Sequence, residues 1–248
     1  MLTRARASEF TSRPKTSIKT KGGPIRAALS FLDSTLKPQD NSPGGPNILF
    51  SMDNFFLTNL WPGLAVWSLL YISDFVLTMW GARLYPRGAN EIVVFEGSYE
   101  LNPVFQKDVD ALRSISPRFI LMLVVSNSAL AWSWYSLSKL ELNLYPFLIG
   151  AFVLLELTIH TRHFRNLFLF RAMAQPGLVR GRIEYARSYS LRMSSCELFT
   201  FAALYLCVFG FVESSFLLGG TFSCLVNGIG HGRLAGKAKS GSSLAPQE

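Results

Sequence analysis

Phe55-Phe-Leu-Thr-Asn-Leu-Trp-Pro-Gly-Leu-Ala-Val-Trp-Ser-Leu-Leu-Tyr-Ile-Ser-Asp-Phe-Val-Leu-Thr-Met-Trp-Gly-Ala-Arg-Leu84 decides the fold class. Over this stretch only Asp74 and Arg83 are ionisable at neutral pH. A helix rises about 1.5 Å per residue, so about 20 apolar residues cross the hydrocarbon core of a bilayer. The stretch is longer than that and reads as a transmembrane helix. Trp61, Trp67, Trp80 and Tyr85 are amphipathic aromatics suited to the membrane interfaces. Pro62 sits near the start, where a proline is tolerated, and Arg83 and Arg87 close the span.

The same reading extends along the chain. Residues 85–117 are polar and mixed in charge, with Asn102-Pro103 as a helix start and a short surface helix through Leu112. Pro117 opens a second span over residues 118–138, and a turn at Lys139-Leu-Glu-Leu-Asn143 leads to a third over 144–160. This third helix continues beyond the membrane as a basic, aromatic surface helix, because Arg162, Arg165 and Arg171 interleave with Leu167, Phe168, Leu169 and Phe170. It ends near Gln175-Pro-Gly177. A fourth span covers 193–212, and after Glu213-Ser-Ser215 a Gly-rich fifth covers 216–232. The fifth only just reaches the minimum length and is either a full crossing or a half-membrane element. The expectation is an all-α, polytopic transmembrane bundle of about five spans in a domain at 49–232. A disordered, basic N-terminal tail at 1–48 precedes it, and a disordered Gly/Ser/Lys-rich tail at 233–248 follows.

Composition agrees. Hydrophobic residues make up 49% of the 248-residue chain and charged residues 16%, and mean hydropathy is +0.26. Soluble domains carry roughly 25% charged residues. The net charge of +8 would raise nucleic acid as a partner in a soluble protein. Here the basic residues flank apolar spans, where they set topology and meet anionic lipid headgroups. No zinc-finger, helix-turn-helix or RNA-binding pattern is present, so nucleic acid is excluded as a partner and the lipid bilayer is the expected one. Cys196, Cys207 and Cys224 are odd in number and lie in or beside apolar segments, which argues against a disulfide framework. The basic, hydroxyl-rich tail is either a solvated tail or an organelle transit peptide, with Ile25–Leu36 able to form an amphipathic surface helix. The expected location is a prokaryotic cytoplasmic membrane or an organelle membrane. The Arg-rich connection between the third and fourth spans should face the cytoplasm, with segment 85–117 and the C-terminus beside it. That assignment leaves the basic N-terminal tail on the opposite face.

Ionisable side chains within apolar spans cost roughly 2.5–3.5 kcal/mol each on insertion scales, so they should face the bundle interior and find partners. Asp74 shares a helix face with Thr78. Glu156, His160 and His163 follow at i, i+4 and i+7 on one face of the third span. A carboxylate and two imidazoles on one face, completed by Asp74, can hold a divalent metal. Asp74, Glu156 and His160 are therefore the candidate catalytic residues, and these three with His163 the candidate metal ligands. The other reading is a buried Glu–His pair and an interfacial histidine. In Glu100-Leu-Asn-Pro103, Asn102 caps local amides, and Glu100 either does the same or returns toward Asp74. Arg162, Arg165, Arg171, Arg180 and Arg182 belong to a run that contains arginine without lysine, suited to phosphates and other forked anions such as lipid headgroups. Gly219, Ser223, Asn227 and His231 form a small, polar i+4 stripe for close helix packing, with Asn227 alternatively facing the acid–histidine cluster. There is no Walker A loop, GxGxxG, GxSxG, HExxH or paired-Asp phosphotransferase motif.

Asp74-Phe-Val-Leu-Thr78 in a first span, then Glu100-Leu-Asn-Pro103, then another apolar span resembles a family of small, uncharacterised prokaryotic integral membrane proteins with an Asp-x3-Thr helix followed by an acidic-x-Asn-Pro motif. The likeness covers roughly residues 66–138. The long connection before Glu100, the N-terminal tail and the Arg-rich segment depart from the pattern. With no activity assigned to that family, the resemblance implies architecture alone. Three functions compete: an embedded enzyme acting on a lipid or isoprenoid with a metal's assistance, a non-catalytic membrane subunit or assembly factor with membrane-protein partners, and a proton-linked carrier.

Overall fold

Asn59 begins the first long helix: its side-chain oxygen accepts a hydrogen bond from the Trp61 amide at 3.1 Å, which satisfies a helix-end donor. The structure, a computed structural model, describes residues 50–96, 100–102, 104–175 and 177–241. The expectations for the N-terminal tail, for Pro103 and for residues 242–248 fall outside these. Within them the fold is an all-α bundle. A short α1 (Phe50–Thr58) leads into α2 (Leu60–Leu84), a 3-10 turn and α3 (Ala89–Ile92). Strand β1 (Val93–Phe95) and α4 (Gln106–Asp110) follow, then α5 (Pro117–Lys139), α6 (Tyr145–Met173), strand β2 (Ile183–Tyr185), α7 (Arg187–Val212) and α8 (Ser215–Gly241).

Among the described residues, four helical stretches are long and apolar enough to cross a membrane: Leu60–Arg87, Pro117–Lys139, Tyr145–Met173 and Arg187–Val212. Their outward faces carry Leu69, Val76, Leu121, Val124, Trp132 and Phe211, all exposed. So continuous an apolar surface belongs in lipid, and the protein is a multi-pass membrane protein. The expected count of five is corrected to four. The fifth helix exists as α8, and at 27 residues it is long enough. Glycine, Asn227, His231, Arg233 and Lys237 dilute its apolarity, and it is not among the four. It also runs past residue 232, where a disordered tail was expected. Alanines between the glycines and lysines favour helix, and Ala235 is buried.

Close backbone approach holds α8 to its neighbours. A Cβ on Gly150 of α6 would collide with the Phe216 carbonyl, and one on Gly219 of α8 with that of Phe147. Small residues at such crossings let helix backbones pack without intervening side chains. Asp53 of α1 caps the start of α8, accepting from Ser214 Oγ at 2.7 Å and from the Ser215 amide at 2.8 Å. Phe56 stacks on Phe216 beside it. The main core gathers Trp67, Leu130, Tyr145, Ile149, Val153, Leu154 and Phe216. Trp67 Nε1 donates to Ser126 Oγ at 2.9 Å and ties α2 to α5.

At one end of the bundle β1 pairs in parallel with β2, in the register Val93↔Ile183, Val94↔Glu184, Phe95↔Tyr185. The connection after α2 and the one after α6 therefore meet on a common face, capped by Tyr85 against Phe170. Because α8 returns beside α7, with Ser195 Oγ donating to the Gly228 carbonyl at 2.7 Å, its C-terminal half approaches the same end.

Candidate functional site

Asp74 lies ten residues before Leu84 on α2, about 15 Å inside the bundle from that end. The helix places Tyr71, Asp74 and Thr78 on one face, at i, i+3 and i+7. Opposite stands α6, which turns Glu156, His160 and His163 inward; all three are buried. Where the two helices face each other, ligand atoms of Asp74, Glu156 and His160 lie within 4.8 Å of one another. Three of the four expected metal ligands thus converge.

The fourth, His163, does something different. Its Nε2 is 2.9 Å from Asp74 Oδ1 and 3.3 Å from Thr78 Oγ1. It orients the carboxylate that joins the group of three.

His160 is set for ligation by its own backbone. Its Nδ1 lies 2.7 Å from the Glu156 carbonyl oxygen, a pure acceptor, so Nδ1 carries the proton. Nε2 then presents a lone pair, with Ser73 Oγ at 2.7 Å. The Ser73 hydroxyl has a second acceptor, the Leu70 carbonyl at 2.9 Å. One proton cannot serve both, so Ser73 can turn to Leu70 and release Nε2. A histidine that gives one ring N–H to a carbonyl and offers the other nitrogen is the usual arrangement at metal centres.

Several buried atoms at this point have no hydrogen-bond partner: Asp74 Oδ1, Glu156 Oε2, His163 Nδ1 and the Tyr71 hydroxyl. Asp74 Oδ1 has His163 at ion-pair distance, but without the alignment of a hydrogen bond. Orphaned buried polar atoms are costly in a low-dielectric interior. All four residues line a cavity of about 520 Å³, shared with Glu100, Asn102, Arg162, Asn227 and His231.

The expected Glu100 turn forms locally. Glu100 Oε1 accepts from the Asn102 amide at 2.6 Å, and Asn102 Oδ1 accepts from the Val104 amide at 3.0 Å. The following helix is shorter than expected, beginning only at Gln106. Glu100 also faces the cavity, so capping and return toward Asp74 occur together. Desolvation pushes its carboxyl above the usual carboxylate range, opposed by the Asn102 amide, Arg162 and His163.

The arginines separate. Arg165 is paired with Glu197, Arg182 with Glu184 at 2.7 Å, and Arg171 lies over the Trp80 ring at 4.7 Å. Arg180 is exposed in the connection before β2. Arg162 alone of the five reaches the cavity, with Nη1 donating to Ser194 Oγ at 2.6 Å. The small, polar stripe divides too. Gly219 packs on α6, and Ser223 is buried and bonds within its own helix. Asn227 and His231 line the cavity, His231 Nδ1 lying 2.8 Å from Ser194 Oγ.

Tyr71, Ser73 and Ser194 were not singled out from sequence. Tyr71 alone had a readable signal, its i−3 position relative to Asp74. No protein-family model, curated protein or solved structure matches this chain.

Proposed function

We propose that the protein is a membrane-embedded enzyme that acts on a lipid or isoprenoid with a divalent metal ion held by Asp74, Glu156 and His160. One observation carries this reading: two carboxylates and an imidazole from two helices meet within 4.8 Å, carboxylate oxygens on Asp74 and Glu156 lack hydrogen-bond partners, and both of those acids line a cavity. Two oxygen donors and one nitrogen donor suit zinc, manganese or ferrous iron, and three protein ligands leave a position open for chemistry. An ion there would polarise an ester or phosphoryl oxygen and lower the pKa of bound water. His163 holds Asp74 in place, and the Tyr71 hydroxyl is available as a donor inside the cavity. Glu156, His160 and His163 are buried, which strengthens their electrostatic interactions.

Elemental analysis of full-length protein purified in a mild detergent tests the reading, alongside Glu156→Gln and His160→Ala. The expected result is about one ion per chain in the wild type and a small fraction of that in both variants. A wild type that stays metal-free after equilibration with zinc, manganese and ferrous iron would overturn it.

A further inference from the structure

A second cavity, of about 330 Å³, adjoins the first. Arg162 and His163 of α6 and Glu100 and Leu101 of the connection line both, and so form the waist between them. The cavities differ in character. The larger lies between the helices of the bundle, where Phe75, Leu155, Ile159 and Val226 supply apolar walls around the acid–histidine group. The smaller follows α6 from Arg162 to Met173, about 16 Å along the helix. It reaches the end capped by the two strands and mixes aromatic Phe95 and Tyr185 with polar Asn166 and Ser190. At the waist, Arg162 has no carboxylate within ion-pair distance among the described residues, and Ser194 fixes one of its five N–H donors. A half-buried guanidinium with donors to spare calls for a forked anion.

We infer that the two cavities together hold one phosphodiester lipid, its chain in the larger cavity, its phosphate at Arg162 and its polar head in the smaller. This rests on the proposed enzyme reading and narrows its substrate to a class. The order chain, phosphate, head matches the order of the walls from bundle interior to capped end. It also sets the phosphate next to Asp74, Glu156 and His160, where an ion and a guanidinium can share its oxygens.

The test is native mass spectrometry of the full-length protein in detergent with phosphatidylglycerol, and separately with diacylglycerol, glycerol phosphate or inorganic phosphate. Each is run with and without a chelator, and metal content is measured in parallel. One phosphatidylglycerol should bind per chain, with diacylglycerol and both water-soluble phosphates binding far more weakly. Arg162→Gln should weaken it about tenfold or more, the scale of a lost charge-assisted hydrogen bond. Arg182→Gln, whose arginine pairs with Glu184 and lines neither cavity, should not. Leu169→Trp fills the head cavity without altering Arg162 and should also weaken the lipid, which keeps the test open if Arg162→Gln fails to fold. Lipid binding indifferent to both Arg162→Gln and Leu169→Trp overturns the inference even if the metal is present. Binding of inorganic phosphate as tight as that of the lipid overturns it as well. A metal-free protein that holds the lipid through Arg162 would sustain the inference and sink the enzyme reading.

Discussion

Replacing Glu156 with methionine should move stability in opposite directions depending on metal. The Glu156 side chain is buried and its Oε2 has no hydrogen-bond partner. Without an ion, folding packs an unsatisfied carboxyl group against α2 and Asp74. Burying a carboxyl group without a hydrogen bond costs about 1–3 kcal/mol, which an apolar side chain of similar volume avoids. Helices inserted but unpacked also carry the carboxyl through the bilayer, so part of the cost is common to both states. A gain of about 1–2 kcal/mol remains for Glu156→Met in chelator. At roughly 2–4 °C per kcal/mol for a chain of this size, it should melt several degrees above wild type. With free metal at about 100 times its dissociation constant, wild type gains about 2.7 kcal/mol that the variant forgoes. The ranking should then close or reverse. Thermal unfolding in detergent, scanned with chelator and with saturating metal, reads both arms. A variant that melts below wild type in chelator by the equivalent of about 1 kcal/mol would show that Glu156 already has a structural partner, and the argument from its orphaned oxygen would fail.

Other consequences follow from the same geometry. His163→Ala removes the contact at 2.9 Å that orients Asp74; the protein should still take up one ion, with affinity reduced about 10–100-fold in a competition titration. Retention of full affinity would make that contact incidental. Gly150→Ala brings a Cβ to 2.7 Å from Phe216 Cα, where ordinary contact begins at 3.4 Å, so α6 and α8 must part by at least 0.7 Å. Overpacking between backbones should cost about 1–3 kcal/mol or more, seen as a lower melting temperature; an unchanged melting curve would refute the close crossing. For Glu100, the folded carboxyl is raised above its unfolded value, so the folded state binds the proton more tightly. Its stabilising effect is complete below the unfolded value near 4.3 and is lost as pH rises through the raised folded one. Glu100→Gln should flatten this decline in a series of melting curves against pH, and an unaltered slope would show that Glu100 does not cause it.

The spans were legible because insertion into a bilayer is close to additive along a segment. Asp74 and Arg83 stand alone in a long apolar run, and no distant contact changes that sum. Pro117 acts within one turn of chain, so the start of α5 was readable as well. The i, i+4, i+7 spacing of Glu156, His160 and His163 put them on one face for the same local reason. Other features depend on which face of one helix meets which face of another. The approach of α2 to α6 selected His160 for the group of three and turned His163 to Asp74. Five arginines alike in sequence met different surroundings, and only Arg162 reached both cavities. The pairing of Val93–Phe95 with Ile183–Tyr185 spans three residues on each side, too short for a periodic signal. Sequence alone determined that the chain is a membrane-crossing helical bundle with acids and histidines inside it, because transfer free energy and helical period are local properties. Only the tertiary structure decided which of those groups meet, because that depends on close crossings such as Gly150 against Phe216, made by residues far apart in the chain.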